Sequence, residues 1–173
     1  MNKERQHSFG NRPFEQAFGG QKSQTPRAAP QTIGDIWPHY LEGGYFASEG
    51  YLQRDYVSRD KVEPLIKAMA RSEPELTQHQ LRRFFQHCRA VEARLRARQS
   101  TWATSEAEFC KLDAAAADAA GKNPPKIPAL FHDFIRRNVA AVHSEKEFLQ
   151  GFLPHFEALV GFGSLHLKKS DRN

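Results

Sequence analysis

An arginine-rich segment at residues 77–102 constrains the fold of this chain more than any other stretch. Thr77 is a favourable N-cap, and Gln80 stands three residues later, at the spacing of a capping box. Apolar side chains then recur at intervals of three and four residues, as they do on one face of an α-helix. They are Leu81, Phe84, Phe85, Cys88, Val91 and Leu95. The segment therefore predicts one long amphipathic helix.

The remaining surface of this predicted helix is strongly basic. Its six arginines are Arg82, Arg83, Arg89, Arg94, Arg96 and Arg98, and Glu92 is the only acidic residue in the segment. Arg82, Arg89 and Arg96 are seven residues apart, so they form a nearly straight stripe with steps of about 10 Å. Few ion pairs between neighbouring turns can relieve the repulsion in this segment, so an anionic partner would stabilise the helix.

The charge of the whole chain is unevenly distributed. The 173 residues carry a formal net charge of +5. Residues 1–32 carry +3 and residues 77–102 carry +5, whereas the rest of the chain sums to −3. A basic helix and a basic arm on a slightly acidic body are typical of a protein that binds a polyanion.

Four further segments have helical periodicity. They are residues 58–71, an alanine-rich stretch ending at Gly121, a stretch opened by Pro128, and a final stretch after Ser144. Glutamate follows Ser105 and Ser144 three residues later, which predicts capping boxes there, and Pro154 must bend or break the last helix. The alanine-rich helix is expected to be buried. No stretch alternates like a half-buried strand, so the chain is predicted to be all-α, a compact bundle of about five helices.

The N-terminal residues 1–32 are rich in Gly, Gln, Ser, Pro and Arg and contain almost no aliphatic side chains. Such a composition buries too little apolar area to offset the entropy of ordering. We therefore predict a disordered basic arm at 1–32, which is either a solvated tail or an extra contact with nucleic acid or a neighbouring subunit. Residues 33–173 are predicted to form a single helical-bundle domain.

The loop that opens this predicted domain is rich in aromatic residues, which pack either on the domain or on a partner. They are Trp37, Tyr40, Tyr45, Phe46 and Tyr51. The N-terminus has no apolar core of a signal peptide, and no apolar run approaches the ~18 residues of a membrane span. We therefore expect a cytoplasmic protein with no membrane partner.

Residue patterns that carry catalysis or bind metals do not stand out. The eight histidines include no HExxH motif and no tight cluster with cysteine, and we interpret them as surface or capping residues. Cys88 and Cys110 fall at apolar positions of predicted helices, so both are expected to be buried and reduced. There is no glycine-rich phosphate loop between a strand and a helix, and no carboxylate pair suited to catalysis. We predict no enzymatic activity, no cofactor and no metal.

The basic helix itself leaves three interpretations open from its residues alone. It could bind nucleic acid, it could bind an acidic protein, or it could be an unpartnered solvated face. The choice of arginine over lysine favours nucleic acid, because a guanidinium group matches the geometry of a phosphate.

Three motifs, taken in order, resemble a known family. They are LTQHQLRRFFQHC at residues 76–88, KLDAAAADAAGK at residues 111–122 and FLQGFLPHFEALVGF at residues 148–162. Their order and spacing resemble those of the small subunit of the type III-A CRISPR effector, the Csm complex. The arm at 1–32, Asp118 and the Gly161–Phe162 pair depart from the family pattern.

The resemblance implies a non-catalytic helical subunit whose copies stack as an inner filament beside the other subunits of the effector. It also implies contact with the target RNA, paired to the guide RNA, through basic side chains and without sequence specificity. Together with the arginine stripe, the predicted RNA-binding residues are Arg82, Arg83, Arg89, Arg96, Lys122, Lys126, Arg136 and Arg137. The alternative is a structural spacer or a homodimeric adaptor that makes only protein–protein contacts.

Overall fold

Six α-helices follow one another in the part of the chain that the computed structural model describes, residues 31–169. They are α1 (Ile33–Ile36), α2 (Arg59–Arg71), α3 (Gln78–Arg96), α4 (Trp102–Gly121), α5 (Ala129–Ala141) and α6 (Leu153–His166). A short 3-10 turn precedes α2, and a π-helical segment at Glu147–Phe152 leads into α6. Between residues 31 and 169 the only extended pairing is an isolated bridge between Phe46 and Leu52. The all-α prediction is confirmed.

The described residues begin at residue 31 and end at residue 169. Nearly all of the arm predicted at residues 1–32 lies outside the described residues, as do residues 170–173. The division into an arm and a domain at residue 33 therefore stays a prediction.

The predicted start of α3 is confirmed in detail. Thr77 Oγ1 accepts a hydrogen bond from the Gln80 N–H at 3.3 Å, and the Gln80 side chain accepts one from the Thr77 N–H at 3.0 Å. This reciprocal pair satisfies two of the backbone donors that a helix start leaves unpaired. The arginine-rich helix thus begins where the sequence places it, but it ends at Arg96, and Trp102, its predicted end, is the first residue of α4.

The other two predicted capping boxes differ from the structure. Ser105 does not cap α4, because the helix begins one turn earlier, with Thr101 as its N-cap. Ser144 does cap the last helical stretch, since its Oγ accepts from the Glu147 N–H at 3.2 Å. The Glu147 carboxylate accepts a hydrogen bond from the His143 N–H (2.7 Å) and not from the Ser144 N–H, as a capping box would require.

Pro154 does not break the last helix, which continues from residue 145 to residue 166 with a change in its hydrogen bonding just before the proline. The π-helical segment Glu147–Phe152 ends just before Pro154, which lies in the first turn of α6. Pro154 has no N–H to donate to the preceding turn, so regular α-helical bonding cannot continue through it. The wider π-helical bonding occurs at this point. The chain nevertheless stays helical, so the segments before and after Pro154 both face the core.

The core lies around α6, which packs against α2 and α3, while α4 packs against α5 and α3. Six phenylalanine rings with essentially no exposed surface fill it: Phe109, Phe131, Phe134, Phe148, Phe152 and Phe156. From α3, Leu81, Cys88, Val91 and Leu95 are buried as predicted. Phe84 and Phe85 are only half-buried at the edge of this core.

The alanine-rich helix α4 and its cysteine correct two expectations. Of its alanines only Ala116 is fully buried, beside Phe109 and Leu112, so the expectation of a buried helix was wrong. Cys110 is exposed, whereas Cys88 is buried as predicted, and burial raises the pKa of the Cys88 thiol. The reason is that α4 packs through one narrow face, so Ala119 and Ala120 are only half-buried and the remaining alanines are exposed.

The aromatic loop before α2 packs back on the domain. Trp37, Tyr40 and Tyr45 are buried, together with Tyr56, whereas Tyr51 is 62% exposed. These rings surround His155 of α6, so the interpretation of the histidines as surface or capping residues is wrong for His155, which is fully buried. The loop therefore covers α6 with an additional aromatic layer.

A buried hydrogen-bond network joins this layer to α5 and α6. The His155 Nδ1 lies 2.6 Å from the Tyr56 carbonyl oxygen, which can only accept, so Nδ1 carries the proton. The Tyr40 hydroxyl then donates to His155 Nε2 (2.7 Å) and accepts from Asn138 Nδ2 (2.7 Å). The Tyr45 hydroxyl donates to Asn138 Oδ1 at 2.8 Å. Burial lowers the pKa of His155 to about 4, so the imidazole is neutral at pH 7.

No helix among residues 31–169 is both long and apolar enough to span a bilayer.

Candidate nucleic-acid interface

The eight predicted RNA-binding side chains lie in three separate groups. One group is Arg82, Arg89 and Arg96 along α3, the second is Arg83, Lys122 and Lys126 around a groove, and the third is Arg136 and Arg137 on α5. Arg82 and Arg83 are adjacent in the sequence. Consecutive helical residues point about 100° apart, however, so the two side chains leave α3 in different directions.

The groove lies between α3, α4 and the connection that follows α4. Its volume is about 420 Å³. The cationic side chains that line it are Arg83, Lys111, Lys122 and Lys126. Within the described part of the chain, Asp118 is the only carboxylate in this lining. Four cations from three stretches of sequence thus converge on one concave surface, which we call the basic groove.

Direct hydrogen bonds hold the walls of the basic groove together. The Gln80 side chain donates to the Lys126 carbonyl at 2.6 Å, and the Lys126 N–H donates to the Ala119 carbonyl at 2.8 Å. The connection is therefore bound to both α3 and α4. On the far side, His87 Nε2 lies 3.0 Å from the Glu108 carbonyl oxygen, to which it donates. The groove is formed before any ligand arrives.

The cations of the basic groove differ in their partners. Lys122 pairs with Asp118 at 2.9 Å and Lys111 with Glu108 at 2.7 Å, and all four side chains are well exposed. The Lys111 ammonium lowers the pKa of the Glu108 carboxyl. Such exposed pairs are worth little and can open towards a better anion. Arg83 and Lys126 have no ion pair among residues 31–169, so both side chains are available to bind an anion.

The arginine stripe of α3 is organised around Glu92. This carboxylate is 8% exposed and contacts the guanidinium groups of Arg89 at 2.5 Å and Arg96 at 2.7 Å. The two arginines remain more than half exposed. Part of the repulsion predicted for this helix is therefore relieved within the chain. Arg82 is exposed and forms no ion pair with any described residue.

The stripe and the basic groove lie on opposite sides of the exposed face of α3. His87, one turn from Arg83, contacts α4. Phe85, by contrast, packs edge-on against Phe156 of α6 with ring centroids 5.3 Å apart. On a helical projection the stripe lies next to Phe85, and Arg83 lies next to His87. A single strand cannot contact both sets without crossing α3.

The two arginines of α5 share one carboxylate. Asp133 contacts Arg136 at 2.6 Å and Arg137 at 3.0 Å. Arg136 is exposed, and Arg137 is half-buried. This group carries a net charge of only +1, because one acid stands between two bases.

Sequence reasoning missed two members of the basic groove, Lys111 and His87. Lys111 begins the motif quoted at residues 111–122, and it lies eleven residues, or three helical turns, before Lys122 on α4. That spacing puts both lysines on one side of α4 and could have been used to find Lys111. The contribution of His87 depends on how α3 and α4 pack, which has no local signal.

Metal binding has no preformed site in the described part of the chain. No three His, Cys, Asp or Glu side chains between residues 31 and 169 are arranged to hold an ion.

The fold and the basic groove define a small, all-α protein that presents clustered cations on a rigid helical surface. The model of the family described as Csm2 Type III-A matches residues 61–169, and the chain belongs to this family. It is therefore a small subunit of the type III-A CRISPR effector, and it assembles with other Csm subunits. The matched region spans α2 to α6. Neither the curated proteins nor the solved structures include a match to this chain.

Proposed function

We propose that this subunit binds the target RNA and the guide RNA–target duplex of the effector without catalysing a reaction. The observation that supports this most is the basic groove, in which four cations from α3, α4 and the following connection face one carboxylate. Arg83 and Lys126 are the strongest candidates for phosphate contacts, because no acid among the described residues competes for them. Lys111 and Lys122 join them when their exposed pairs open.

Binding of this kind is independent of base sequence. Lysine and arginine contacts to phosphates position a nucleic acid but carry no information about its bases. Their contribution falls steeply with salt, because each contact releases counterions from the RNA. The remaining predicted residues act at a second level, since Glu92 and Asp133 already neutralise part of their charge. They are Arg82, Arg89, Arg96, Arg136 and Arg137.

Stacking of several copies as an inner filament is part of the same proposal. One basic groove offers few phosphate contacts, so an isolated subunit binds RNA weakly. Copies held side by side in the cytoplasmic effector extend the contacts along the RNA and raise the effective concentration at each groove. The strength of binding then comes from the array.

The experiment removes two charges from the basic groove and compares the variant with a matched control. The groove variant is Arg83→Ala with Lys126→Ala, and the control is Arg54→Ala with Arg71→Ala. All four residues are exposed, and the control pair, like the groove pair, forms no ion pair with a described residue. The net charge changes equally in both variants.

The measurement is a salt titration of the binding of two unrelated single-stranded RNAs to the full chain. The groove variant should lose affinity for both RNAs, and the slope of log K against log salt should flatten by about 1.4, or about 0.7 for each lost contact. The control should keep the wild-type slope. Equal losses in both variants would mean a diffuse charge effect, and no loss in the groove variant would leave the subunit without this role.

The alternative of a structural spacer or homodimeric adaptor has one observation in its favour. The buried carboxylate of Glu92 pairs with two arginines of the stripe, and a protein partner could cover this partly neutralised surface. Crosslinking of the assembled effector separates the two functions. Contacts of Arg83 and Lys126 with a protein subunit alone, and with no RNA, would support the spacer.

A further inference from the structure

We infer that the basic groove holds one unstacked nucleotide, with its base on an apolar floor and its phosphates at the cationic rim. This inference rests on the proposed function and names the form of RNA that the groove receives. It concerns the apolar half of the groove, which phosphate contacts leave unused.

The floor of the basic groove is apolar and deeper than its rim. Its side chains are Phe84, Leu112, Ala119 and Ile127, and the exposed Ala115 lies at its edge. Leu112 and Ile127 are buried, and Phe84 and Ala119 are half-buried. The four cations and Asp118 are all exposed. A ligand that fills the groove must therefore be apolar at its inner end and anionic at its outer end, which is the division within a nucleotide.

The size of the basic groove suits one nucleotide. Its volume of about 420 Å³ lies near the lower end of the range of small-molecule sites, roughly 300–1,000 Å³. A base within a duplex is stacked on both faces and cannot reach the floor. The groove therefore takes a nucleotide from a single strand, or one displaced from a duplex.

The floor is rigid enough to act as a platform for a base. Phe84 packs edge-on against the buried Phe131 ring with centroids 5.2 Å apart. The hydrogen bonds of Gln80 and Lys126 described above hold the rim over it. A base that enters meets a surface that does not have to be ordered first, which lowers the cost of binding.

An acidic peptide would use this surface less completely than a nucleotide. Its carboxylates could pair with Arg83 and Lys126, but they would leave the apolar floor exposed to water. Every base has an apolar face, and stacking tolerates all of them. A floor that accepts any base is thus compatible with binding that ignores sequence.

The experiment introduces a larger apolar side chain that obstructs the floor, and it changes no charge. Ala115→Leu places a larger side chain in the basic groove, and Ala114→Leu is the matched control on the same helix, exposed but outside the groove. Both positions are exposed and helical, and leucine favours helices almost as well as alanine. Circular dichroism of the full chain verifies that both variants fold.

The ligands are an oligouridine hexamer and a hexamer of abasic ribose phosphates with the same charge. Wild type and Ala114→Leu should bind the oligouridine about tenfold more tightly than the abasic strand, which is the scale of one stacked base. Ala115→Leu should lose this preference and bind both strands equally. In parallel, uridine monophosphate should shift the NMR signals of the Ala115 and Ala119 methyl groups, and inorganic phosphate should not.

Three results would overturn the inference. They are equal binding of the two strands by the wild type, retention of the preference in Ala115→Leu, and binding of polyglutamate that Ala115→Leu weakens as much as it weakens oligouridine. If the groove charge variant loses affinity for RNA but Ala115→Leu behaves like Ala114→Leu, this inference fails and the proposed function stands. If the charge variant binds like the wild type, the proposed function itself fails.

Discussion

Acidification should destabilise this protein through His155. In the folded state burial lowers the pKa of its imidazole to about 4, against an ordinary value of 6.5. The unfolded chain therefore takes up a proton at a higher pH than the folded protein does. The stability that His155 contributes is complete above about pH 6.5 and is lost as the pH falls towards 4.

The size of this loss follows from the two pKa values. The difference favours protonation of the unfolded chain by about 3 kcal/mol once the pH is below both values. At pH 4.5 the folded imidazole is itself partly protonated. The loss between pH 7.5 and pH 4.5 is therefore about 2–3 kcal/mol, which is a large part of the ~5–15 kcal/mol that stabilises a typical domain.

The assay is urea unfolding of the wild type and of His155→Gln at pH 7.5, 6.0 and 4.5. Carboxylates also titrate in this range, but they do so in both proteins. The difference in free energy of unfolding between wild type and variant should therefore shrink by about 2–3 kcal/mol from the highest to the lowest pH.

Two results would refute the reasoning about His155. One is a pH dependence of stability that is the same in the wild type and in the variant. The other is an imidazole that titrates near pH 6.5 in an NMR experiment on the folded wild type. The NMR measurement needs no variant, so it decides the matter even if His155→Gln fails to fold.

Three further substitutions test the packing around α6, and urea unfolding checks each of them. A Cβ added at Gly151 would lie 2.7 Å from the Tyr45 ring, so Gly151→Ala should destabilise by about 1–3 kcal/mol. A Cβ added at Gly161 would have no atom within 4 Å, so Gly161→Ala should stabilise by about 0.5–1 kcal/mol. A change in stability of the same sign in both glycine variants would contradict the steric overlap with the Tyr45 ring. Phe156 is fully buried among four other phenylalanine rings, so Phe156→Ala should cost about 3–5 kcal/mol, and near-wild-type unfolding would remove it from the core.

The aromatic loop before α2 differs from the rest of the domain because the family match does not include it. The family match begins at residue 61, whereas the aromatic loop lies before it. Tyr40 and Tyr45 nevertheless supply buried hydrogen bonds to His155 and Asn138, which are inside the matched region. Removing the loop would break these hydrogen bonds and expose to water the apolar surface that its buried rings cover, which costs free energy. In this chain the loop is therefore a structural part of the domain.

Features that depend on neighbouring residues in the sequence were predicted well. The capping box at Thr77 and the periodicity of α3 follow from contacts within one or two turns. The prediction for Ser105 was wrong because Thr101, one turn earlier, is the N-cap of α4 instead. The prediction for Cys110 was wrong because the packed face of α4 is narrower than its apolar composition suggests. The burial of His155 was missed since its partners lie about 100 residues away in the chain.

The amino-acid sequence by itself determined the all-α class, the long basic helix and, through its motifs, the family. These follow from local periodicity, capping and charge, which do not depend on how the helices meet. Only the tertiary structure decided which cations act together. Arg82 and Arg83 are adjacent in sequence but point to different sides of α3, whereas Arg83 shares a groove with Lys122 and Lys126 because α4 and its connection fold back onto α3. A binding surface is made by proximity in space, and the packing of helices fixes that proximity.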